Sequence, residues 1–145
     1  MKAVNKVKIS FISLSANESF ARTAISGFTA LLDPTVEQLA DIKTAVSEAV
    51  TNCIIHAYPD KVGIIKMTAM IYADNTLCIT ISDNGCGIEN IEQAMKPMFT
   101  TGNPDERSGL GFAVMESFMD TLKVRSKPGK GTRVTMTKRI LKKQG

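Results

Sequence analysis

SEAVTNCIIHAY, residues 47–58, is the stretch that decides the fold, because it places polar side chains on a helix that is otherwise apolar. Glu48, Asn52 and His56 follow one another at intervals of four, so at about 100° per residue they form one slowly rotating stripe. Apolar side chains fill most of the remaining surface. The stretch therefore predicts a helix that faces the core and has a polar stripe beside it.

This helix is predicted to run from Thr35 to about Ala57 and to end at Pro59. Thr35 and Gln38 have the spacing of a capping box, in which each side chain accepts a backbone N–H from the other residue. The predicted buried side consists of Leu39, Ile42, Val46, Val50 and Ile54.

A strand and another helix precede it. Residues 4–13 alternate apolar and polar side chains, which predicts a half-buried strand near the edge of a sheet. Asn17 is predicted to cap a helix that runs to about Leu32 and ends at Asp33-Pro34. The predicted inner face of this first helix consists of Phe20, Ala24, Phe28, Leu31 and Leu32.

The second half of the chain has mostly β-type patterns. The predicted strands, paired as two hairpins, cover residues 64–72, 76–82, 121–127 and 132–140. Residues 91–95 predict a helical turn, residues 110–120 predict a helix, and residues 96–108, with two prolines and little periodicity, predict a mobile loop. The order of elements predicts an α+β fold, a two-layer α/β sandwich whose mostly antiparallel mixed sheet has helices on one face.

Length and composition limit the possible functions. The 145 residues suffice for one domain, residues 1–145, and leave no room for a second catalytic domain. No apolar run reaches about 18 residues and the first residues alternate, so we expect a cytoplasmic protein without a signal peptide. Three cysteines without metal-type spacing indicate a reducing compartment and no zinc site.

The charge distribution is modest. The net charge is +4, and four cations lie near the C-terminus, namely Lys138, Arg139, Lys142 and Lys143. A basic tail can contact nucleic acid or anionic lipid, but no aromatic residues alternate with these charges. A solvated chain end is therefore favoured, with no direct nucleic-acid or membrane partner.

The polar stripe contains groups that suit chemistry on phosphate. Glu48 can act as a general base or orient a water, and the carbonyl oxygen of Asn52 can bind a hard cation such as Mg²⁺. A solvated helix face explains the same two residues when they are taken alone. His56 can simply interact with the dipole at the C-terminus of its helix.

A second segment, Asp83 with Gly85 and Gly87, follows directly on a predicted strand. The carboxylate can accept a hydrogen bond from the amino group of a ligand, and the glycines let the backbone approach a flat ring. An ordinary turn produces the same pattern.

Two more segments are rich in glycine. Ser108, Gly109 and Gly111 open a predicted helix, where free backbone N–H groups suit phosphate. Thr132 follows a glycine-rich hairpin tip and can donate its hydroxyl beside Asp83. A glycine-rich helix start and a plain turn are the simpler explanations of each segment in isolation.

Together, these segments resemble the nucleotide-binding motifs of the Bergerat-fold ATPase and kinase superfamily, abbreviated GHKL, over nearly the whole chain. Within it, SEAVTNCIIHAY, ISDNGCGI, FTTGNPDERSGLGFAVMESFMD and GKGTRV most resemble the small serine kinases that serve as bacterial anti-sigma factors. NESFARTAISGF and LDPTVEQLADIKTAVSEAVTN narrow the resemblance to the sporulation anti-sigma F factors. Cys53, where this family usually has a smaller residue, and Phe112, where relatives often have a smaller aliphatic one, depart from the pattern.

The resemblance implies ATP and ADP as ligands, with Mg²⁺. Glu48 would be the catalytic base or water-orienting carboxylate, and Asn52 the protein ligand of Mg²⁺. Asp83 would bind the adenine amino group with help from Thr132. The remaining implied nucleotide contacts are Gly85 and Gly87 below the base, Ser108, Gly109 and Gly111 at the phosphates, and Ile88, Met98 and Leu110 as pocket walls.

A lid over the nucleotide is also implied. Thr100, Thr101 and Arg107 would lie on it, and Arg107 is the side chain expected to contact the γ-phosphate or a partner. A solvated loop arginine near Asp105 and Glu106 is the alternative.

Partners follow from the same resemblance. It implies a sigma factor of the sigma F type, a small anti-anti-sigma protein whose serine is phosphorylated, and a homodimer formed through the first strand. Glu18 and Arg22 on the first helix would contact the protein partners, although the sequence alone favours an exposed i,i+4 ion pair. A nucleotide-gated anti-sigma binder with little or no kinase activity is the alternative function.

Absent motifs exclude other enzyme classes. The sequence has no G-x-x-x-x-G-K-S/T loop and no H-R-D or D-F-G segment, so it is neither a P-loop enzyme nor an ordinary protein kinase. Its single histidine, His56, lies within the nucleotide-site helix, which leaves no separate phosphoacceptor histidine for a sensor kinase.

Overall fold

The computed structural model describes residues 2–95 and 111–141, and within them the elements follow the predicted order. The strands are β1 (Ala3–Ile12), β2 (Ile64–Tyr72), β3 (Thr76–Asp83), β4 (Thr121–Lys127) and β5 (Gly131–Arg139). The helices are α1 (Ala16–Thr29), α2 (Val36–Asn52), α3 (Ile91–Met95) and α4 (Phe112–Phe118). A 3₁₀ turn, Ala30–Leu32, extends α1, and a π-helical turn, Cys53–Ala57, extends α2.

The strands form one sheet in the order β1-β2-β3-β5-β4. Every pairing between the described strands is antiparallel, so the sheet is more uniform than the mixed sheet of the prediction. β1 lies at an edge, as its alternating sequence predicts. The predicted two-layer α+β architecture is confirmed, because α1, α2 and α4 pack on one another and on one face of this sheet.

The alternation of buried and exposed side chains along the strands explains which face of the sheet the helices cover. In β2, Ile65, Met67, Ala69 and Ile71 are buried, whereas Lys66 between them is exposed. The buried set packs against the apolar side of α2, where Ile42, Val46 and Val50 are inaccessible to solvent. In the strands every second side chain is buried, and in the helix the apolar side chains recur about every 3.6 residues. These two sets of side chains pack together into a single core. Within the described residues, no helix is both long and apolar enough to cross a membrane.

The capping box at the start of α2 is confirmed. The Thr35 hydroxyl accepts the Gln38 N–H at 3.1 Å, and the Gln38 side-chain oxygen accepts the Thr35 N–H at 3.0 Å. Two backbone donors that the helix itself cannot satisfy are thereby paired. The capping box thus defines where α2 begins.

Replacing Thr35 by alanine should therefore lower the free energy of unfolding by about 1 kcal/mol. Thr44→Ala is the matched control, since the Thr44 hydroxyl bonds only the Ala40 carbonyl within the same helix, and alanine has the higher helix propensity. Urea unfolding of both variants measures the difference. Equal stability of the two variants would contradict a role for the capping box.

Two details of α1 differ from the prediction. Asn17 is not the cap, because the helix begins earlier, with Ser15 as the N-cap residue, and Asn17 instead donates to the Ile12 carbonyl at 2.9 Å. The inner face is also rotated: Phe20 and Leu31 are 52% and 66% exposed. The residues that are buried from this segment are Ala21, Ile25, Phe28, Thr29 and Leu32.

Phe20 and Leu31 leave the predicted face for separate reasons. The Phe20 ring packs edge-on against Phe11 of β1, with centroids 6.4 Å apart, at the margin of the core. The 3₁₀ turn after Thr29 tightens the chain, so that Leu32 points inward and Leu31 outward. The predicted helix over residues 110–120 is shorter as well, since α4 is preceded by Gly111 in a left-handed conformation.

Candidate functional site

A small cavity of about 30 Å³ lies between α2, the end of β3, the start of α4 and β5. Its wall includes five residues predicted to contact a nucleotide, Asn52, Asp83, Gly87, Ile88 and Thr132. The rest of the wall consists of Ala49, Cys53, His56, Ala57, Ile81, Phe112 and Val134. Strand register explains part of this arrangement, since Asp83 and Thr132 are directly opposite each other on β3 and β5. The structure thus brings three separate sequence segments to one mainly apolar cavity.

The polar stripe of α2 faces this region. Asn52, the last residue of α2, is half-buried on the cavity wall, and His56 follows it there from the π-helical turn. Partial burial lowers the pKa of His56 below its ordinary value, which favours the neutral ring near pH 7. Among the described residues, no group of three or more His, Cys, Asp or Glu side chains is placed to hold a metal ion.

Asp83 is the best-fixed polar group of the cavity. It is buried, and its Oδ1 accepts the Gly85 N–H at 2.9 Å and the Thr132 N–H at 3.2 Å. Two backbone donors on one oxygen fix the orientation of the carboxylate. The second oxygen, Oδ2, is therefore the one that a ligand can use.

Cys53 is the protein partner of Oδ2. Its thiol donates to Asp83 Oδ2 at 3.3 Å from the buried start of the π-helical turn. Burial, together with the charge of Asp83 and this hydrogen bond, raises the pKa of Cys53 well above its ordinary value. The thiol therefore remains protonated and acts as a weak donor, leaving acceptor capacity on Oδ2.

The Thr132 hydroxyl does not donate beside Asp83 in the way the sequence suggested. It lies 2.8 Å from the Ser126 hydroxyl, which donates its own hydrogen to the Gly131 carbonyl and accepts the Ile88 N–H. The Thr132 hydroxyl therefore donates to Ser126. Toward a ligand, the Thr132 hydroxyl oxygen can only accept a hydrogen bond. The contact between Thr132 and Asp83 is made by the backbone instead.

The loop after β3 needs its glycines for close packing. Gly85 is buried against Ala57 and donates its N–H to Asp83, and it does not line the small cavity itself. Its position below a bound base stays a prediction. Gly87 lines the cavity with φ +75°, and a Cβ there would overlap the carbonyl of Lys127. The loop is thereby held between α2 and the β4–β5 turn.

Gly87→Ala should consequently lower the free energy of unfolding by about 3 kcal/mol or more, because the left-handed backbone is strained for alanine and the new Cβ overlaps a backbone carbonyl. Gly129→Ala is the matched control: Gly129 has φ +76°, yet a Cβ there would meet nothing within 4 Å. Gly129→Ala should lower the free energy of unfolding by about 1 kcal/mol, because backbone strain is then the sole cause. Thermal unfolding of both variants measures the difference, and an equal loss would mean that the overlap at Gly87 is relieved without cost.

Glu48 lies next to the start of α4. A Cβ built on Gly111 would overlap the Glu48 carboxylate, and Gly111 itself has φ +69°. The side chain of Glu48 is half-buried one helical turn before Asn52. The long helix thus places a carboxylate against the glycine that precedes α4, beside the cavity.

Several predicted contacts lie outside the described residues. These are Met98, Thr100, Thr101, Arg107, Ser108, Gly109 and Leu110. Gly111 is the one residue of the predicted phosphate-binding segment that is described.

Glu18 and Arg22 lie away from the cavity on α1. They form an i,i+4 ion pair, with Arg22 Nε 3.1 Å from Glu18 Oε1. The same Glu18 oxygen accepts a hydrogen bond from Ser47 of α2. The pair is therefore more than a solvated surface pair, because it connects α1 to the residue that precedes Glu48.

Three residues that hold the site in place could not be assigned a function from the sequence. Cys53 holds Asp83 Oδ2, Ser126 holds Thr132, and the Tyr58 hydroxyl accepts the Asn84 N–H at 2.8 Å while donating to the Ile64 carbonyl. The only available signal for Tyr58 is its place between the polar stripe and Pro59. Nothing in the sequence signals the other two contacts, which depend on tertiary packing.

Comparison with known families gives a match to the histidine kinase-like ATPase domain over residues 14–138. Among curated proteins, an anti-sigma F factor from Caldanaerobacter subterraneus subsp. tengcongensis is 59% identical over 140 residues, covering 97% of each chain. An anti-sigma F factor from Clostridium kluyveri is 55% identical over 134 residues, covering 92% of this chain and 94% of the relative.

A solved structure extends the comparison to the fold. The structure of the RsbU and RsbW domains of a Mycobacterium tuberculosis protein matches with a TM-score of 0.70 at 21% sequence identity. The match covers 94% of this chain and 32% of the other. At that identity the likeness concerns the arrangement of helices and strands.

Proposed function

Because this chain belongs to the anti-sigma F factor family of GHKL-type, histidine kinase-like ATPase domains, we propose that it binds ATP with Mg²⁺ and phosphorylates a serine of a protein partner. The family is one of partner-switching anti-sigma factors. The observation that supports a nucleotide site most strongly is the oriented carboxylate of Asp83 in an apolar cavity that also includes Asn52 and Thr132.

Asp83 would recognise the base. Its Oδ2 has acceptor capacity beside the Cys53 thiol, and it would accept a hydrogen bond from the adenine amino group. Ile88, Phe112 and Val134 offer apolar surface for a flat ring. The cavity of about 30 Å³ is smaller than a purine, so we expect its walls to separate when nucleotide binds.

Asn52 and Glu48 would act at the phosphates. The side-chain oxygen of Asn52 fits a Mg²⁺ ligand, since this cation prefers oxygen ligands and usually takes few of them from the protein. When bound, Mg²⁺ neutralises charge that develops on the phosphates. Glu48 would accept the proton of the attacking serine hydroxyl or orient it, from its position beside Gly111.

The remaining phosphate contacts rest on the family resemblance. Ser108, Gly109 and Gly111 would bind phosphate oxygens, Leu110 would form part of the pocket wall, and Thr100, Thr101 and Arg107 would belong to a lid. Arg107 would contact the γ-phosphate or the protein partner.

Protein partners complete the proposal. A sigma factor of the sigma F type would be held in the nucleotide-bound state, and a small anti-anti-sigma protein would be the phosphorylated partner. Glu18 and Arg22 would contact these proteins, and Glu18 is already linked to Ser47 on α2. A homodimer formed through β1, whose outer edge is unpaired in the described sheet, and action in the cytoplasm belong to the same proposal.

The experiment is transfer of label from γ-labelled ATP in the presence of Mg²⁺ and the serine-containing partner. We expect label on the partner serine and none when that serine is replaced by alanine. Tight ATP binding without any transfer would reject the kinase function and would leave a nucleotide-gated anti-sigma binder.

A further inference from the structure

The sheet face turned away from the helices, called the outer face below, is strongly basic. The strand residues that point to it include eight cations, Lys6, Lys8, Lys66, Lys123, Arg125, Lys127, Arg133 and Arg139. No aspartate or glutamate of these strands points the same way, since Asp83 faces the helices. The chain as a whole has 18 Lys and Arg against 14 Asp and Glu, so the outer face is far more basic than the molecule.

Three of these cations lie in one row across the sheet. Lys66 is paired with Ser82, Ser82 with Arg133, and Arg133 with Arg125. Adjacent strands are about 4.8 Å apart, and like charges directly opposite each other destabilise a sheet. In the part of the chain that is described, none of the three forms an ion pair with a carboxylate. The Arg125–Arg133 pair therefore opposes folding without internal compensation.

A groove of about 660 Å³ follows this row to the β4–β5 turn. Five cations line it, namely Lys66, Arg125, Lys127, Lys130 and Arg133. Ile64, which is 45% exposed, adds apolar surface to the same groove. It borders the candidate nucleotide site at Asp83 and Thr132, but its cations lie on the opposite side of the sheet.

From this geometry we infer that the groove binds an acidic peptide segment of a protein partner, one in which apolar residues separate the carboxylates. Guanidinium groups pair with carboxylates in a bidentate manner, which would relieve the repulsion between Arg125 and Arg133. The exposed side chain of Ile64 would contact the apolar side chains of the peptide. A second copy of this face would instead bring cations against cations.

Nucleic acid fits the groove less well. None of the described residues that line it is aromatic, so these residues offer bases no ring to stack on. Its volume of about 660 Å³ lies in the range of pockets that enclose a small molecule or a few side chains. The inference is independent of ATP binding, because the five cations on which it rests are not among the proposed nucleotide contacts.

The test measures fluorescence anisotropy of a labelled peptide of repeating Glu-Glu-Leu triplets, with Gln in place of Glu as the control peptide. We expect the full chain to bind the acidic peptide only. The double variant Arg125→Gln/Arg133→Gln should weaken binding by about tenfold or more. Its thermal stability should equal or exceed that of the parent, because a like-charge pair is removed.

The matched control variant is Lys6→Gln/Lys8→Gln, which removes two charges from the outer face at the β1 edge, outside the groove. It should retain peptide binding within about twofold, and both double variants should bind ATP as the parent does. Absence of peptide binding would overturn the proposal, as would equal weakening by the two variants. Tighter binding of duplex DNA or of tripolyphosphate than of the peptide would also overturn it.

Discussion

Asp83→Asn should lower the affinity for ATP by about 100-fold or more, the largest effect on nucleotide binding that we expect from a single side-chain change. The variant can keep its amide oxygen on the Gly85 and Thr132 N–H groups, because these hold Oδ1. Its amide nitrogen would then replace Oδ2 and face the adenine amino group with a donor. The change therefore removes a charge-assisted hydrogen bond and adds a donor–donor conflict.

Equilibrium binding of a fluorescent ATP analogue, with competition by ATP, measures this effect. Asp60→Asn is the matched control, since Asp60 is exposed with φ +61° and asparagine tolerates that conformation. Both variants should fold, as judged by far-UV circular dichroism and thermal unfolding. Normal ATP affinity in a folded Asp83→Asn protein would show that Asp83 does not read the base.

Glu48→Gln should lower the rate of phosphoryl transfer by about 10²- to 10⁴-fold, the usual contribution of a general base. Glutamine has nearly the same shape, so the packing against Gly111 is preserved while the ability to accept a proton is lost. ATP affinity should change little, because the base-recognising group, Asp83, is untouched. The measurement is single-turnover transfer from labelled ATP to the partner serine.

Glu37→Gln provides the control, since Glu37 is an exposed acidic residue in the first turn of the same helix. It should transfer phosphate at the parental rate. Unchanged transfer by Glu48→Gln would remove Glu48 from the catalytic role, whereas loss of ATP binding would assign it to the binding site instead. The two variants of Asp83 and Glu48 thus separate recognition of the base from chemistry at the phosphate.

Local patterns were sufficient to predict most of the architecture. The capping box of Thr35 and Gln38, the alternation in β2 and the short turn between β2 and β3 are all specified within a few residues. Asn52 and Asp83 were also recognisable as candidate site residues, since a polar residue on an apolar helix and an acid at a strand end require some partner. The structure adds that both line one cavity.

Features that depend on long-range packing could not be predicted in the same way. For α1, the buried face depends on packing against α2 and β2, which leaves Phe20 at the margin of the core beside Phe11. The Cys53 donor to Asp83 depends on how the end of α2 meets β3, thirty positions away in the chain. The hydroxyl of Thr132 is directed by Ser126, which strand pairing places opposite it.

Strand pairing also creates the outer face. Arg125 and Arg133 are ordinary cations in the sequence, and only the β4–β5 register makes them direct neighbours. The net charge of +4 gives no indication of a groove lined by five cations. Sequence periodicity therefore indicates which residues share a face, whereas register determines which charges meet.

The central claim, that Asp83 reads adenine in this cavity, is tested most directly by a crystal structure with Mg²⁺ and a non-hydrolysable ATP analogue. We predict the adenine amino group within hydrogen-bond distance of Asp83 Oδ2, with Oδ1 still bonded to the Gly85 and Thr132 N–H groups and the Asn52 oxygen on the metal. A nucleotide bound elsewhere, or a base turned away from Asp83, would contradict the account.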